Sequence, residues 1–286
     1  MCYDYNRLTA DIERLGNNYS FIGHTIIGES VMRRGIHCMK IGSGRRKILI
    51  AAAFHGLESI TAAIAMKFLG DYSERISDGN PFFEKNAARL FIKNTLYILP
   101  MVNPDGVDIA ANGVDVSEPV HQQLIKSVGV CDFKHVWQAN ARGVDLNHNY
   151  DALWSAVLPS PAPSKYGGER PECEPETKTV TTFVRRVQPD ILIALHSQGG
   201  EIYCDFDGYC PDGADTLSEE MAAASGYEVC RPTGTATFGG CKDWFIREFD
   251  RPGFTIEVGH GQNPLPMSML DEIYEENARI ILCTMK

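Results

Sequence analysis

Apolar residues fall along this chain in short dense runs, and the runs alternate with stretches of helical period. The run at 47–54 is too short for a helix core and too apolar for a surface strand, so it predicts a buried strand. Residues 36–41 form a similar run. The two flank Gly42-Ser-Gly44 and together predict a hairpin. Further strands are predicted at 95–102, ending in the turn signal Asn103-Pro-Asp-Gly106, at 190–195, ending at His196, and at 253–258. Helical spacing predicts helices at 7–15, 58–72, 174–187, 217–225 and 269–285. Residues 110–143 and 151–172 are rich in loop formers and are expected to wrap the surface.

Buried strands alternating with helices predict an α/β fold of three layers, α/β/α, with a mixed, mostly parallel sheet flanked by helices. A chain of 286 residues can bury a full core, and it is read as one domain over 1–286. In such sheets ligands bind in the crevice outside the carboxyl ends of the strands. The polar residues His55, Glu58, Asn103, His196 and Glu257 all stand at or just beyond predicted strand ends.

Charge and cysteine content narrow the class. The formal net charge is -10, which argues against a nucleic-acid surface, since phosphate binding needs clustered Lys and Arg. The one basic cluster, Arg45-Arg46-Lys47, is short and reads as a solvated turn. Nine cysteines, none in Cys-x-x-Cys spacing, read as free thiols of a reducing compartment. The amino terminus is too polar for a signal peptide, and no apolar run approaches the ~20 residues of a membrane span. A cytoplasmic protein is expected, with no nucleic-acid or membrane partner.

The chemistry begins at Ala-Ala-Phe-His55-Gly-Leu-Glu58. An imidazole and a carboxylate three residues apart, just past a strand end, can both turn onto one cation. Zinc accepts that mixed pair, and a catalytic site needs one more protein ligand and an open position for water. His196 supplies the third ligand and completes a His2Glu set. Glu257 is a carboxylate inside an apolar strand, where a charge without a partner is costly. It is a candidate general base, taking a proton from the attacking water and delivering it to the leaving amine, or else half of a structural salt bridge.

Taken in order, His55-x-x-Glu58, Asn103-Pro-Asp-Gly106, Gly143-Val-Asp-Leu-Asn147, Tyr166-Gly-Gly with Glu174-Pro-Glu-Thr177, His196-Ser, Gly239-Gly240-x-x-Asp243-Trp244 and Thr255-Ile-Glu257 resemble the zinc metallocarboxypeptidase family. The resemblance covers about residues 50 to 260. The fuller strings around residues 139–147, 196–203, 242–245 and 251–257 are similar to the bacterial branch of gamma-D-glutamyl-meso-diaminopimelate peptidases. The resemblance implies a zinc exopeptidase fold and cleavage of the gamma-D-Glu to diamino-acid bond of cell-wall peptides. It implies one zinc on His55, Glu58 and His196, with Glu257 as general base. It gives Arg142 as the cation polarising the scissile carbonyl and Asn147 as a holder of the substrate carboxylate.

Two positions depart from the pattern, and a third that matches it bears on specificity. His148 stands where the family places an Arg clamp for a free C-terminus, and a His is not a bidentate fork. Thr235 stands where family carboxypeptidases carry a lid Tyr. Lys242 matches the residue at the base of the pocket for the residue after the cleaved bond. There an ammonium favours an anionic side chain such as that of diaminopimelate, unless it points outward and pairs with Asp243 or Glu248. Alternatives are a zinc carboxypeptidase releasing acidic C-terminal residues, a small-molecule zinc amidohydrolase, and a metal-free peptide binder.

Overall fold

The computed structural model describes residues 2–231 and 238–286. The chain opens with α1 (Tyr5–Asn18), whose first turn is capped by the Asp4 carboxylate accepting from Arg7 N. Strands β1 (Gly23–Glu29), β2 (Gly35–Gly42) and β3 (Arg46–Ala52) follow, then a single 3-10 turn at Gly56–Glu58 and the long helix α2 (Ser59–Asp78). A small ribbon, β4 (Pro81–Phe82) with β5 (Lys85–Asn86), precedes α3 (Ala87–Lys93) and β6 (Asn94–Leu99). Three helices come next: α4 (Pro104–Asn112), α5 (Pro119–Val128) and α6 (Phe133–Val136). The remaining elements are α7 (Pro175–Val187), β7 (Ile191–His196), β8 (Glu201–Tyr203), α8 (Ala214–Ser225), β9 (Glu228–Cys230), α9 (Cys241–Phe249), β10 (Gly253–Glu257) and α10 (Leu270–Thr284).

Eight strands form one sheet in the order β1-β2-β6-β3-β7-β10-β8-β9. The centre, β6-β3-β7-β10, is parallel, while the pairs β1-β2, β2-β6 and β10-β8 are antiparallel. Strand alternation divides the core in two. Ile48, Ile50 and Ala52 of β3, with Ile191, Ile193 and Leu195 of β7, face the layer built with α1, α2, α8 and α10. Leu49, Ala51, Leu192 and Ala194 face α7 and α9, against Val180, Phe183, Val184, Trp244 and Phe245. Burial on both faces explains why these strands read as continuous apolar runs. Each of the Leu, Ile, Val and Phe side chains among them contributes about 1.5–3 kcal/mol on leaving water.

The predicted hairpin of 36–41 with 47–53 does not form. Strand β6 lies between β2 and β3, pairing antiparallel with one and parallel with the other. Gly42 and Gly44 make room for it. A Cβ at Gly42 would meet Asn94 O at 2.1 Å, and one at Gly44 would meet the Lys93 carbonyl carbon at 1.8 Å. Both glycines are needed because the chain steps over the start of β6, and no tight turn is made.

The loop expectation for 110–143 is also corrected. Asn103 is an N-cap as well as the end of a turn: its Oδ1 accepts from Gly106 N, Pro104 takes the first helical position, and α4 follows. With α5 and α6 it makes a third apolar cluster of Leu57, Ile109, Leu124, Phe133 and Trp137. Residues 151–172 carry no helix or strand, as expected. Among the described residues no helix is long and apolar enough to cross a membrane.

Candidate metal centre

Because β3, β6, β7 and β10 run parallel, their carboxyl ends share one edge of the sheet. His196 is the last residue of β7 and Glu257 the last of β10, and the two are register partners. His55 lies just beyond β3. The 3-10 turn that follows brings Glu58, buried, back beside it. Asn103 is fully buried just beyond β6 and donates to Phe54 O at 2.9 Å, Gln138 O at 3.3 Å and Ala139 O at 3.2 Å. It braces the segment that carries His55 and takes no part in the chemistry.

Two imidazoles and one carboxylate converge. His55 Nδ1 is 2.8 Å from Glu58 Oε1, and His196 Nδ1 is 3.1 Å from Glu58 Oε2. The two Nδ1 atoms are 3.4 Å apart. Two nitrogens bound to one zinc at ~2.0–2.1 Å in tetrahedral array are separated by about 3.3–3.4 Å. Neutral imidazole lone pairs and a carboxylate are also the donors zinc prefers, so the residues present fit the ion.

Neighbouring groups set the orientation of both rings. Asp145 Oδ1 lies 3.1 Å from His55 Nε2 and can accept its proton, which would leave the Nδ1 lone pair for a bound ion. Asp145 is itself held by Asn147 N at 3.1 Å and Lys165 N at 2.8 Å. The Phe54 ring stacks on His196, with centroids 5.0 Å apart and planes 18° from parallel. Sequence reasoning assigned Asp145 no role, although a carboxylate between Val144 and Leu146 signals a buried acid that needs a partner.

The charges follow from this packing. Burial disfavours the charged form of His55, but the Glu58 and Asp145 carboxylates outweigh it and raise the imidazole well above its ordinary range. Burial pushes His196 down. Burial also opposes ionisation of Glu58, yet His55 and His196 hold its carboxyl well below the usual range. Glu257 behaves in the opposite way. Burial, with the Glu58 carboxylate adding to it, pushes its carboxyl up to about 8. Two carboxylates at one site with pKa values driven apart are a recurring mark of divided labour between ligand and proton carrier.

The other sequence-predicted residues take different places. Asn147 Oδ1 accepts from Cys241 N at 3.0 Å, tying the residue after Leu146 to the first turn of α9. His148 Nδ1 donates to Phe238 O at 3.2 Å, and its Nε2 lies 4.0 Å from Asp145 Oδ2. Lys242 is buried, at 5 % exposure. Its ammonium pairs with Asp243 and donates to the Asp205 carbonyl. It therefore points inward, with Asp243 as partner. A chain of contacts, His55–Asp145–Asn147–Cys241, links the metal centre to the helix turn that carries it. Arg142 lies on the loop that precedes Asp145. Its side chain is 54 % exposed and lies 3.5 Å from Glu174 Oε2. Thr235 lies outside the described residues.

Comparison with known proteins matches residues 8–280 to the family described as zinc carboxypeptidase. The chain is 38 % identical over 284 residues to gamma-D-glutamyl-L-diamino acid endopeptidase 1 of Lysinibacillus sphaericus, covering 98 % of this chain and 71 % of that protein. Among solved structures, thrombin activatable fibrinolysis inhibitor superposes with a TM-score of 0.82 at 21 % identity, covering 99 % of this chain and 73 % of that one. The murein-tripeptide amidase of Escherichia coli O157 superposes with a TM-score of 0.60 at 20 % identity, covering 92 % of each chain. At these identities the structural likeness speaks for the fold.

Proposed function

The chain belongs to the zinc carboxypeptidase family of metallopeptidases, whose members bind one catalytic zinc, and from that premise we propose that it hydrolyses the bond between gamma-D-Glu and a diamino acid in cell-wall-derived peptides. The observation that carries the proposal is the meeting of His55 Nδ1, His196 Nδ1 and both Glu58 oxygens at the strand edge, with Glu257 in register beside His196. The 38 % identical relative is named for that bond. In this reading residues 1–286 act as one peptidase domain in a reducing cytoplasm, which the nine free thiols support.

His55, Glu58 and His196 hold the zinc, and Asp145 fixes the His55 tautomer. Zinc, when bound, supplies a Lewis acid that polarises the scissile carbonyl and acidifies water. Glu257 takes the proton from the attacking water and returns it to the leaving nitrogen. A carboxylate at this strand edge can carry the proton in both transfers. Asn147 and His148 bond to Cys241 N and Phe238 O on either side of Gly239-Gly240, and with His148 in place of an Arg clamp the site tolerates a blocked C-terminus. For Arg142 to polarise the carbonyl, its guanidinium must leave Glu174 when substrate binds.

The base of the pocket carries mixed charge. Lys242 supplies an ammonium, while Asp205 and Asp243 are buried carboxylates, and Asp205 Oδ1 has no hydrogen-bond partner. The side chain of meso-diaminopimelate ends in an ammonium and a carboxylate on one carbon and can satisfy both signs. A lysine side chain offers only the ammonium, and an acidic C-terminal residue only the carboxylate.

Mass spectrometry of digests tests the reading. L-Ala-gamma-D-Glu-meso-diaminopimelate should be cleaved after gamma-D-Glu, faster than its lysine analogue and faster than peptides ending in Asp or Glu. The C-terminal amide of the first peptide should remain a substrate. Release of C-terminal Asp or Glu with the gamma-linked peptides intact would replace this proposal by the acidic-carboxypeptidase alternative.

A further inference from the structure

Directly after β8 the chain doubles back. Phe206 and Tyr209 exchange backbone hydrogen bonds of 2.8 and 2.9 Å across Asp207-Gly208. Both turn residues have positive φ, 51° and 76°, as a two-residue hairpin turn requires. The turn brings Cys204, fully buried, against Cys210, with Cys210 Sγ 3.5 Å from Cys204 O. Asp215, in the first turn of α8, closes the group from a third direction.

Three donors result. The two sulfurs are 3.8 Å apart. Asp215 Oδ1 lies 3.4 Å from Cys210 Sγ and 3.9 Å from Cys204 Sγ. A tetrahedral zinc with Zn–S of ~2.3 Å and Zn–O of ~2.0–2.2 Å requires sulfurs about 3.8 Å apart and sulfur–oxygen edges of about 3.5–3.7 Å. A disulfide would instead need sulfurs ~2.05 Å apart. Arg231, following β9, pairs with the same carboxylate. Two thiolates and a carboxylate carry three negative charges, and a dication together with Arg231 neutralises them. Asp215 and Arg231 are half exposed, at 56 % and 51 %, and leave a route in for an ion.

We propose that Cys204, Cys210 and Asp215 form a second metal site, separate from the His55–Glu58–His196 centre, that takes a thiophilic dication of the zinc class as a structural clip. Binding forms two metal–sulfur bonds and one metal–oxygen bond to the protein, leaves the fourth tetrahedral position to a water, and releases the two thiol protons to solvent. The clip fixes the hairpin that carries Asp205, whose carbonyl accepts the Lys242 ammonium. Metal there acts on the Lys242 ammonium through the Asp205 carbonyl.

The test is a metal count on the full chain, purified without a metal-binding tag in the presence of a phosphine reductant. Elemental analysis and native mass spectrometry should show one equivalent of zinc fewer in Cys210→Ser than in wild type, and the same single loss in Asp215→Ala. His196→Ala should lose a different equivalent, so that Cys210→Ser combined with His196→Ala binds none. The readout does not depend on which peptide is cleaved, and the His196→Ala arm reports separately on the first centre. Titration of wild type with cadmium should give a thiolate-to-metal charge-transfer band that Cys210→Ser lacks. An unchanged metal count and band in both Cys210→Ser and Asp215→Ala would overturn the site. So would a Cys204–Cys210 disulfide with no metal in protein purified without reductant.

Discussion

Replacing Lys242 by Met removes one charge from a buried group and keeps the volume of its stem. Around that ammonium the structure places the Asp243 carboxylate and the Asp205 carbonyl, both residues being buried. Breaking a buried pair by deleting one partner costs about 3–5 kcal/mol, because the other charge is left without compensation. Burial already pushes the Asp243 carboxyl upward, so it can take a proton, and the lower end of that range is expected. Met in place of Ala avoids the additional ~2–5 kcal/mol of a core cavity. Urea denaturation at pH 7 should therefore show a loss of about 3 kcal/mol, and Asp243→Asn in the same chain should recover part of it. On substrates, a charge-assisted hydrogen bond to a side-chain carboxylate contributes about 1.5–3 kcal/mol when the ammonium is free. Here Asp243 shares that ammonium, which points to the lower end, about tenfold in kcat/KM. The ratio of diaminopimelate to lysine peptide should fall by that factor in Lys242→Met. Stability within ~0.5 kcal/mol of wild type would refute the buried pair. Equal losses on both peptides would confine Lys242 to the fold.

Glu257→Gln should keep its zinc and lose about 10² to 10⁴ in kcat, because an amide cannot carry the proton; a variant within a few-fold of wild type removes Glu257 from the mechanism. Asp145→Asn should weaken zinc binding about 10- to 100-fold in chelator competition, as expected when the group orienting a ligand imidazole is altered; unchanged affinity would mean that the His55 tautomer is set elsewhere. Glu176 is fully buried, and burial pushes its carboxyl up to about 8 from 4.5. The folded chain then holds a proton that the unfolded chain releases above pH 4.5, so this contribution is complete at low pH and is lost as pH rises through about 8. Glu176→Gln, always neutral, should raise Tm relative to wild type at pH 9 by more than at pH 5, and equal shifts at both pH values would show that the carboxyl is ionised throughout.

The central layers were legible because their signal is local. A run such as Ile191-Leu-Ile-Ala-Leu is apolar on both faces, and only a covered parallel strand satisfies that. Strand β1 was not legible. It lies at the edge of the sheet, with Gly23, His24, Thr25 and Ile26 exposed, so no burial pattern marks it. Strands β8 and β9 have three residues each, too few for a period. The partner of β2 was misread for a different reason. A Gly-Ser-Gly between two apolar runs supports a hairpin in any local account, and only the later β6, entering between them, changes what those glycines are for.

The candidate centre divides along the same line. His55, Glu58, His196 and Glu257 could be placed together because each is a chemically costly residue at the end of a cheap, recognisable strand, and parallel strands end on one edge. Residue type and strand position suffice there, since the backbone carries the side chain to the site. Lys242 and Arg142 lack that constraint. Both are long cations in loop or helix-turn positions, where sequence spacing does not say which way the side chain runs. The structure sends one inward onto Asp205 and Asp243 and the other outward beside Glu174. A backbone carbonyl and the adjacent Asp243 hold the first and Glu174 lies beside the second, and neither the Asp205 carbonyl nor Glu174 announces itself as a partner in the sequence. A basic residue proposed from a motif therefore becomes a site residue only when the nearest carboxylates are known. At Lys242 the ammonium and the Asp243 carboxylate stand side by side, and in the proposed function that pairing is the physical ground for expecting a zwitterionic side chain in preference to a simple acid.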